Sequence, residues 1–205
     1  MIQLPGYRTL SDIERKYLEN RGFDIDYLRS KFHIRGGGLC GEWAYRILIP
    51  IYYNKELVSW VGRSILNKKQ LEELKIPRYK NLSIEQSVIN SKTIFFNLDS
   101  CNRDSVILVE GSFDVMRMGD NTICSLGTSV TPEQQLFLAS KFKKVFIAFD
   151  NEPGAQNKAK HLGMNLSSVG MKVEVVNICE DFNKNDPGDL TAEEVIKIKT
   201  ELEML

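Results

Sequence analysis

Residues 106–152 constrain this chain more than any other stretch. They hold three segments: ILVEGSFDV at 107–115, CSLGTS at 124–129 and VFIAFDNE at 145–152. Each joins a short β-branched apolar run to a turn bearing a carboxylate or a glycine. Residues 106–109 and 145–149 are too continuously apolar for a half-wet sheet and read as fully buried strands. Glu110 and Asp150 stand one residue past those strands. If both strands are parallel, the two carboxylates meet at the C-terminal rim of the sheet, where open α/β folds bind their ligands. Carboxylates gathered there repel and raise each other's pKa. A divalent cation removes that conflict, and Mg²⁺ takes hard oxygen ligands while keeping waters for substrate phosphates.

The segments around this stretch alternate strand and helix. After the first strand come a helix at 112–118, a strand at 122–124 and a helix opened by TPEQ at 131–134, which combines an N-cap, proline at the first helical position and a capping-box glutamine. A strand at 144–149, a helix at 155–168, a strand at 172–178, an acidic loop at 180–189 and a helix capped by TAEE at 191–194 complete the series. Such βα units imply right-handed crossovers and an α/β fold with a helix-flanked parallel sheet.

The first half is less regular and reads as a smaller α+β part. SDIE at 11–14 is a capping box opening a helix that Gly22 closes, and a second helix spans 26–32. Gly36, Gly37 and Gly38 read as a flexible break. Strands are expected at 46–53 and 57–61, with Pro50 making the first an edge strand or a bulged one. Residues 67–75 read as a charged, exposed segment, SIEQ at 83–86 opens a helix to about residue 90, and 93–97 looks like one more strand. Residues 1–99 carry 16 Lys/Arg against 11 Asp/Glu, and residues 100–205 carry 11 against 16. The expected division is therefore a basic subdomain at 1–99 and an acidic one at 100–205, a balance that suits a polyanion-binding surface beside a metal-binding one.

Several classes are disfavoured. No apolar run approaches the roughly 18 residues of a membrane span, and the first residues lack a secretory pattern, so a cytoplasmic protein with no membrane partner is expected. Cys40, Cys101, Cys124 and Cys179 are far apart with no C-x-x-C pair, and read as reduced thiols rather than a disulfide frame or zinc ribbon. His33 and His161 stand in no constellation and read as structural, which argues against a nucleophilic hydrolase. Asp114 reads as facing solvent one turn into its helix, with a supporting role at most.

Taken together, the motifs resemble the Toprim domain, and within that family the catalytic core of DnaG-type and bacteriophage DNA primases. VEGSFDV at 109–115 resembles the primases' VEG-x-x-D-V strand, SLGT at 125–128 their glycine-containing turn, and KNDPGD at 184–189 their K-D-P-x-D segment. Upstream, Arg46 with the following I-x-I-P-I run, Gly62-Arg63, Arg78-Tyr79-Lys80-Asn81, and Lys92 before Phe96-Asn97-Leu98 occur in primase order, so the resemblance covers residues 8–189. It implies Mg²⁺- or Mn²⁺-dependent synthesis of short RNA primers from ribonucleoside triphosphates on single-stranded DNA. It assigns metal binding to Glu110, Asp150, Glu152 and Asp186, with catalysis by Glu110, Asp150 and Glu152 and Glu110 also as general base. Arg46, Arg63, Arg78, Lys80 and Lys92 would bind triphosphate or template phosphate, Arg as a bidentate fork and Lys as a point charge. Tyr79, beside Asn81, could stack on a base. Gly62 and Gly111 would let backbone approach a ligand, and Gly127 makes the second turn.

The chain departs from the family in three ways. The usual D-x-D turn is here Asp150-Asn151-Glu152, and glutamate reaches one methylene further. The usual A-G that follows is Gly154-Ala155. No zinc ribbon and no helicase-binding domain are found, so no zinc is expected, and a separate helicase or zinc-ribbon protein would supply template recognition. Two other classes stay open: a Toprim metal-dependent nuclease, and a non-catalytic primase-like module regulating a replication complex.

Overall fold

A computed structural model describes residues 2–7, 9–127 and 129–205. Arg8, where the resemblance begins, and Thr128, which ends the SLGT turn, lie outside the described residues. The chain divides into two compact units, Met1–Ser91 and Lys92–Leu205. That division falls upstream of the 99/100 boundary suggested by charge. Residues 92–97 join the second unit through hydrogen bonds: Thr131 Oγ1 donates to the Lys92 carbonyl at 2.8 Å, Gln134 Nε2 to the Ile94 carbonyl at 2.7 Å, and the Phe96 amide to the Cys124 carbonyl at 3.0 Å. The strand expected at 93–97 is only this single bridge to Cys124.

In the first unit, helices α1 (Asp12–Glu19) and α2 (Ile25–Phe32) precede strands β1 (Arg35–Gly36), β2 (Arg46–Tyr53) and β3 (Glu56–Ser64). A short helix α3 (Lys68–Leu74) and strand β4 (Tyr79–Asn81) follow, and the sheet is antiparallel in the order β1-β2-β3-β4. β1 meets β2 only at Ile47 and Leu48, so the flank of β2 at Pro50 carries no strand, and the register slips between Ile51 and Tyr52. That is the geometry a strand proline requires. Ile47, Leu48, Ile49 and Ile51 are fully buried, each stabilising the unit by about 1.5–3 kcal/mol. Trp43 and Trp60 meet edge-to-face at 6.0 Å within a cluster that includes Leu4, Leu48 and Leu82.

Three expectations for this unit are corrected. The triple glycine is packed rather than a flexible break. Gly36 lies in β1, the Gly38 amide donates to Glu14 Oε1 at 3.0 Å, and a Cβ at Gly37 would overlap the Trp43 carbonyl. Glu14, the capping-box acid of α1, is thereby buried with its carboxylate bonded to both Ser11 and Gly38. The helix expected after Ser83 is one turn: the Ser87 hydroxyl bonds the Ser83 carbonyl, and the Val88 amide bonds Val58, drawing the chain onto β3. Local side-chain bonds of this kind compete with helix. Residues 67–75, read only as charged and exposed, form α3, capped by Asn67 and Gln70 and burying only Leu71.

The second unit is α/β. Strands β5 (Ser105–Val109), β6 (Thr122–Cys124), β7 (Lys144–Ile147) and β8 (Lys172–Val175) form a parallel sheet in the order β6-β5-β7-β8. The connecting helices are α4 (Ser112–Met118), α5 (Pro132–Lys141) and α6 (Pro153–Ser168), and α7 (Ala192–Glu201) follows two 3₁₀ turns, Glu180–Phe182 and Pro187–Asp189. Val106–Val109 and Val145–Phe149 are buried, as fully covered central strands should be. Four free cysteines are present: Cys124 and Cys179 are buried, Cys101 half-buried and Cys40 exposed. No described helix is long and apolar enough to cross a membrane.

Candidate active site

β5 and β7 are adjacent and parallel, with Leu108 opposite Ile147, so Glu110 and Asp150 emerge at the same rim. The Ala148 amide donates to the Leu108 carbonyl at 2.9 Å and carries the pairing one step past β7. Beyond it the chain turns at Asp150, where Gln156 Nε2 from α6 holds the Phe149 and Asp150 carbonyls at 3.2 and 3.0 Å. The Asn151 amide then donates to the Asn185 carbonyl at 2.8 Å, drawing the loop that carries Asp186 to the same rim.

Asp114 stiffens the other side. Gly111 is the N-cap of α4, and Asp114, at the third helical position, accepts the Gly111 amide on Oδ2 at 2.7 Å. The Asp114 carboxyl is hydrogen bonded to Asp186, which accepts the Gly188 amide. Arg117 Nε holds the Gly188 carbonyl at 3.0 Å. The turn after Glu110 and the Asp186–Gly188 turn are thus tied through one buried carboxyl. The expectation that Asp114 faces solvent is corrected: it is 6% exposed. The signal that would have found it is the G-x-x-D spacing at a helix start, a capping-box arrangement.

The electrostatics are one-sided. Burial, then Glu110, Asp186, Glu152 and Asp189, push the Asp150 carboxyl up to about 7. Burial also raises Glu110, with Glu152 and Asp186 adding to it, while Lys158 and a hydrogen bond to the Asp150 backbone oppose. Burial and the neighbouring Asp186 and Asp150 hold Asp114 well above the usual carboxylate range. The same field reaches Cys179, whose thiol burial and then Asp150 push up to about 12. Glu110 Oε1 and Asp150 Oδ1 are buried with no hydrogen-bond partner, as is Ser112 Oγ. Unpartnered carboxylate oxygens are costly where water is excluded, and two of them share this rim.

These donors fit a hard divalent cation. Among the described residues no group of three or more His, Cys, Asp or Glu side chains is arranged as a ready cage. Glu152, the N-cap residue of α6, is exposed and its side chain caps nothing. Mg²⁺ is commonly held by one or two carboxylates together with waters and substrate phosphates, and Glu110 and Asp150 offer oxygen donors of that type. Beside Glu110 lies a cavity of about 380 Å³ that Lys158 and His161 of α6 also line. His161, read from the sequence as structural, lines this cavity three residues after Lys158.

The basic candidates of the first unit sit on one sheet. Arg63 pairs in register with Tyr79, Gly62 with Lys80 and Val61 with Asn81. The Arg63 guanidinium lies 4.7 Å from the Tyr79 ring centroid, and Nε donates to the Tyr17 hydroxyl at 3.3 Å. Burial acts to lower its pKa, but Tyr79 and Tyr17 leave it raised. Lys80 bonds Glu42 Oε1 at 2.9 Å and lies 4.8 Å from the Trp43 ring. Arg78 and Asn81 are exposed, as is Lys92 of the second unit. Arg46 differs: it is buried and donates to the carbonyls of Gly62, Arg78 and Pro77 at 3.0, 3.3 and 2.9 Å. A Cβ at Gly62 would strike the Trp43 ring and Arg46, so that glycine makes room for packing, whereas Gly127 is exposed.

Residues 107–191 match a family described as Toprim-like. An uncharacterised protein of Mycoplasma genitalium is 28% identical over 181 residues, covering 82% of this chain and 76% of the relative. A DNA primase of Staphylococcus epidermidis is 24% identical over 185 residues, covering 83% of this chain but 29% of the primase, so this chain spans under a third of that protein's length. Among solved structures, the zinc-binding and RNA polymerase domains of the Aquifex aeolicus primase superpose with a TM-score of 0.73 at 21% identity, over 94% of this chain and 56% of that one.

Proposed function

This chain carries a Toprim-like domain and resembles the catalytic core of DnaG-type DNA primases; proceeding from that, we propose that it joins ribonucleotides into short primers on a single-stranded DNA template. The observation that carries the reading is the pair of buried, unpartnered carboxylate oxygens on Glu110 and Asp150 at the rim of the parallel sheet. Phosphoryl-type transfer is catalysed chiefly by positioning and charge neutralisation. Glu110, Asp150, Glu152 and Asp186 would hold Mg²⁺ or Mn²⁺. When bound, the ion supplies Lewis-acid stabilisation of the charge on the phosphates.

The residues do the rest. A 3′-hydroxyl attacks the α-phosphorus of a ribonucleoside triphosphate, the new O–P bond forms as the bond to diphosphate breaks, and the hydroxyl proton passes to the Glu110 carboxylate. Its raised proton affinity suits it to act as that base. Asp114 keeps the turns bearing Glu110 and Asp186 in place. On the first unit, Arg78, Lys80 and Asn81 offer donors for phosphate, Tyr79 with Arg63 offers a stacking face, and Arg46 supports that strand internally. Lys92 is a further exposed cation. Template recognition would draw on a helicase or a zinc-ribbon protein.

The test is template-dependent ribonucleotide incorporation with Mg²⁺ and with Mn²⁺, with and without an added helicase or zinc-ribbon protein. Short RNA that requires template is expected. Degradation of labelled single-stranded DNA without incorporation would instead identify a nuclease. A second reading is a nucleic-acid-binding module without catalysis, favoured by the lack of a three-ligand group among the described residues and by Glu152 in place of aspartate. It expects DNA binding and no incorporation in the same assay.

A further inference from the structure

The cavity beside Glu110 has no role in what precedes. It measures about 380 Å³ and lies wholly within the second unit, between the β5 and β7 rim, the turn after β6 and helices α5 and α6. That volume is in the range of small-ligand sites. Glu110, with Oε1 buried and unpartnered, lines it together with the apolar Phe149 and Leu162 and with Lys158 and His161, three residues apart on α6. Among the described residues, neither the Lys158 ammonium nor the His161 ring makes a side-chain hydrogen bond or ion pair. Lys158 is close enough to lower the Glu110 pKa without bonding to it. A cation, an apolar wall and a carboxylate lining one cavity match a ligand that combines an anionic group, a flat apolar ring and a hydroxyl donor.

We propose that this cavity seats the 3′-terminal nucleotide of the growing strand, its phosphodiester on Lys158 and His161 and its 3′-hydroxyl on Glu110. This rests on the polymerase reading above and deepens it by naming the subsite of the attacking strand. A phosphate oxygen takes charge-assisted hydrogen bonds from the ammonium and the imidazole. The base lies against Phe149 and Leu162, and Ser125 and Gln135 supply further donors at the wall. The terminal hydroxyl then donates to the Glu110 carboxylate, its base in the polymerase reading. That brings the nucleophile to its base without help from the incoming nucleotide.

The test is equilibrium binding of a fluorescently labelled ribodinucleotide with a free 3′-hydroxyl to the full chain, without template or triphosphate. Lys158→Ala and His161→Ala are each expected to weaken binding about tenfold or more, the loss of one hydrogen bond to a charged group. A 3′-deoxy dinucleotide is expected to bind more weakly to the wild-type protein. Lys160→Ala, an exposed change on the same helix outside the cavity, is expected to bind as wild type. No binding by the wild type, unchanged binding in both cavity variants, or equal loss in Lys160→Ala overturns the proposal. If the wild type binds through Lys158 yet incorporates nothing on any template, the polymerase reading fails and the cavity is left as a dinucleotide-binding site, which overturns its role as the seat of an attacking strand. If it incorporates but the cavity variants bind normally, the subsite fails and the polymerase reading stands.

Discussion

Arg46 and Glu14 of the first unit differ from Glu110 and Asp150 of the second in how their charge is met. In the first unit, Arg46 is held by three backbone carbonyls, and Glu14 by Ser11 and Gly38. In the second, acids are gathered at one rim, and Glu110 and Asp150 each keep an oxygen with no partner. A satisfied buried charge fixes structure, whereas an unsatisfied one leaves interaction energy available for something outside the chain.

The contrast can be broken most sharply at Glu110. Glu110→Gln keeps the shape but removes the base and a ligand, so incorporation should fall by about 100-fold or more, with little change in the thermal midpoint. Normal turnover in that variant would put Glu110 on the scaffold side. Arg46→Ala should behave in the reverse sense. It strands the Gly62, Pro77 and Arg78 carbonyls and should cost about 1–3 kcal/mol, read as a lower urea midpoint, with full activity per folded molecule.

A smaller effect comes with pH. The Asp150 carboxyl sits at about 7 in the fold against an ordinary 3.8. The folded chain therefore holds that proton more tightly than the unfolded one. Its contribution to stability is fully present below about 4 and is lost as pH rises through about 7. Metal-free protein should accordingly lose thermal stability across that window, and Asp150→Asn should flatten the slope. A wild-type profile unchanged by that substitution would remove Asp150 from the unsatisfied group. Least of all should come from Lys144→Ala. It breaks a surface pair to Glu174 at 2.7 Å in the second unit, worth about 0.2–1 kcal/mol, and it should leave binding and catalysis alone.

What the sequence revealed and what it hid divide by distance along the chain. The parallel sheet and the two rim acids were legible because each is a local pattern, an apolar run ending in a carboxylate. The roles of Arg46 and Glu14 were not, since Arg46 meets Pro77 31 positions away and Glu14 meets Gly38 24 away. The same cause turned three glycines that looked flexible into a packed seam. Asp114 lay within reach of local reasoning, because its partner Gly111 is three residues back; only its burial against Asp186 is long-range. That His161 lines a cavity with Glu110 is likewise long-range, and no spacing along the chain encodes it.

The claim beneath all of this is that Glu110 and Asp150 together hold a divalent cation. Calorimetric titration of the full chain with Mn²⁺, beside a Glu110→Gln/Asp150→Asn double variant, tests it most directly. Saturable binding by the wild type that disappears in the double variant is the predicted result. Absence of heat in the wild type, or the same isotherm in both proteins, would contradict it.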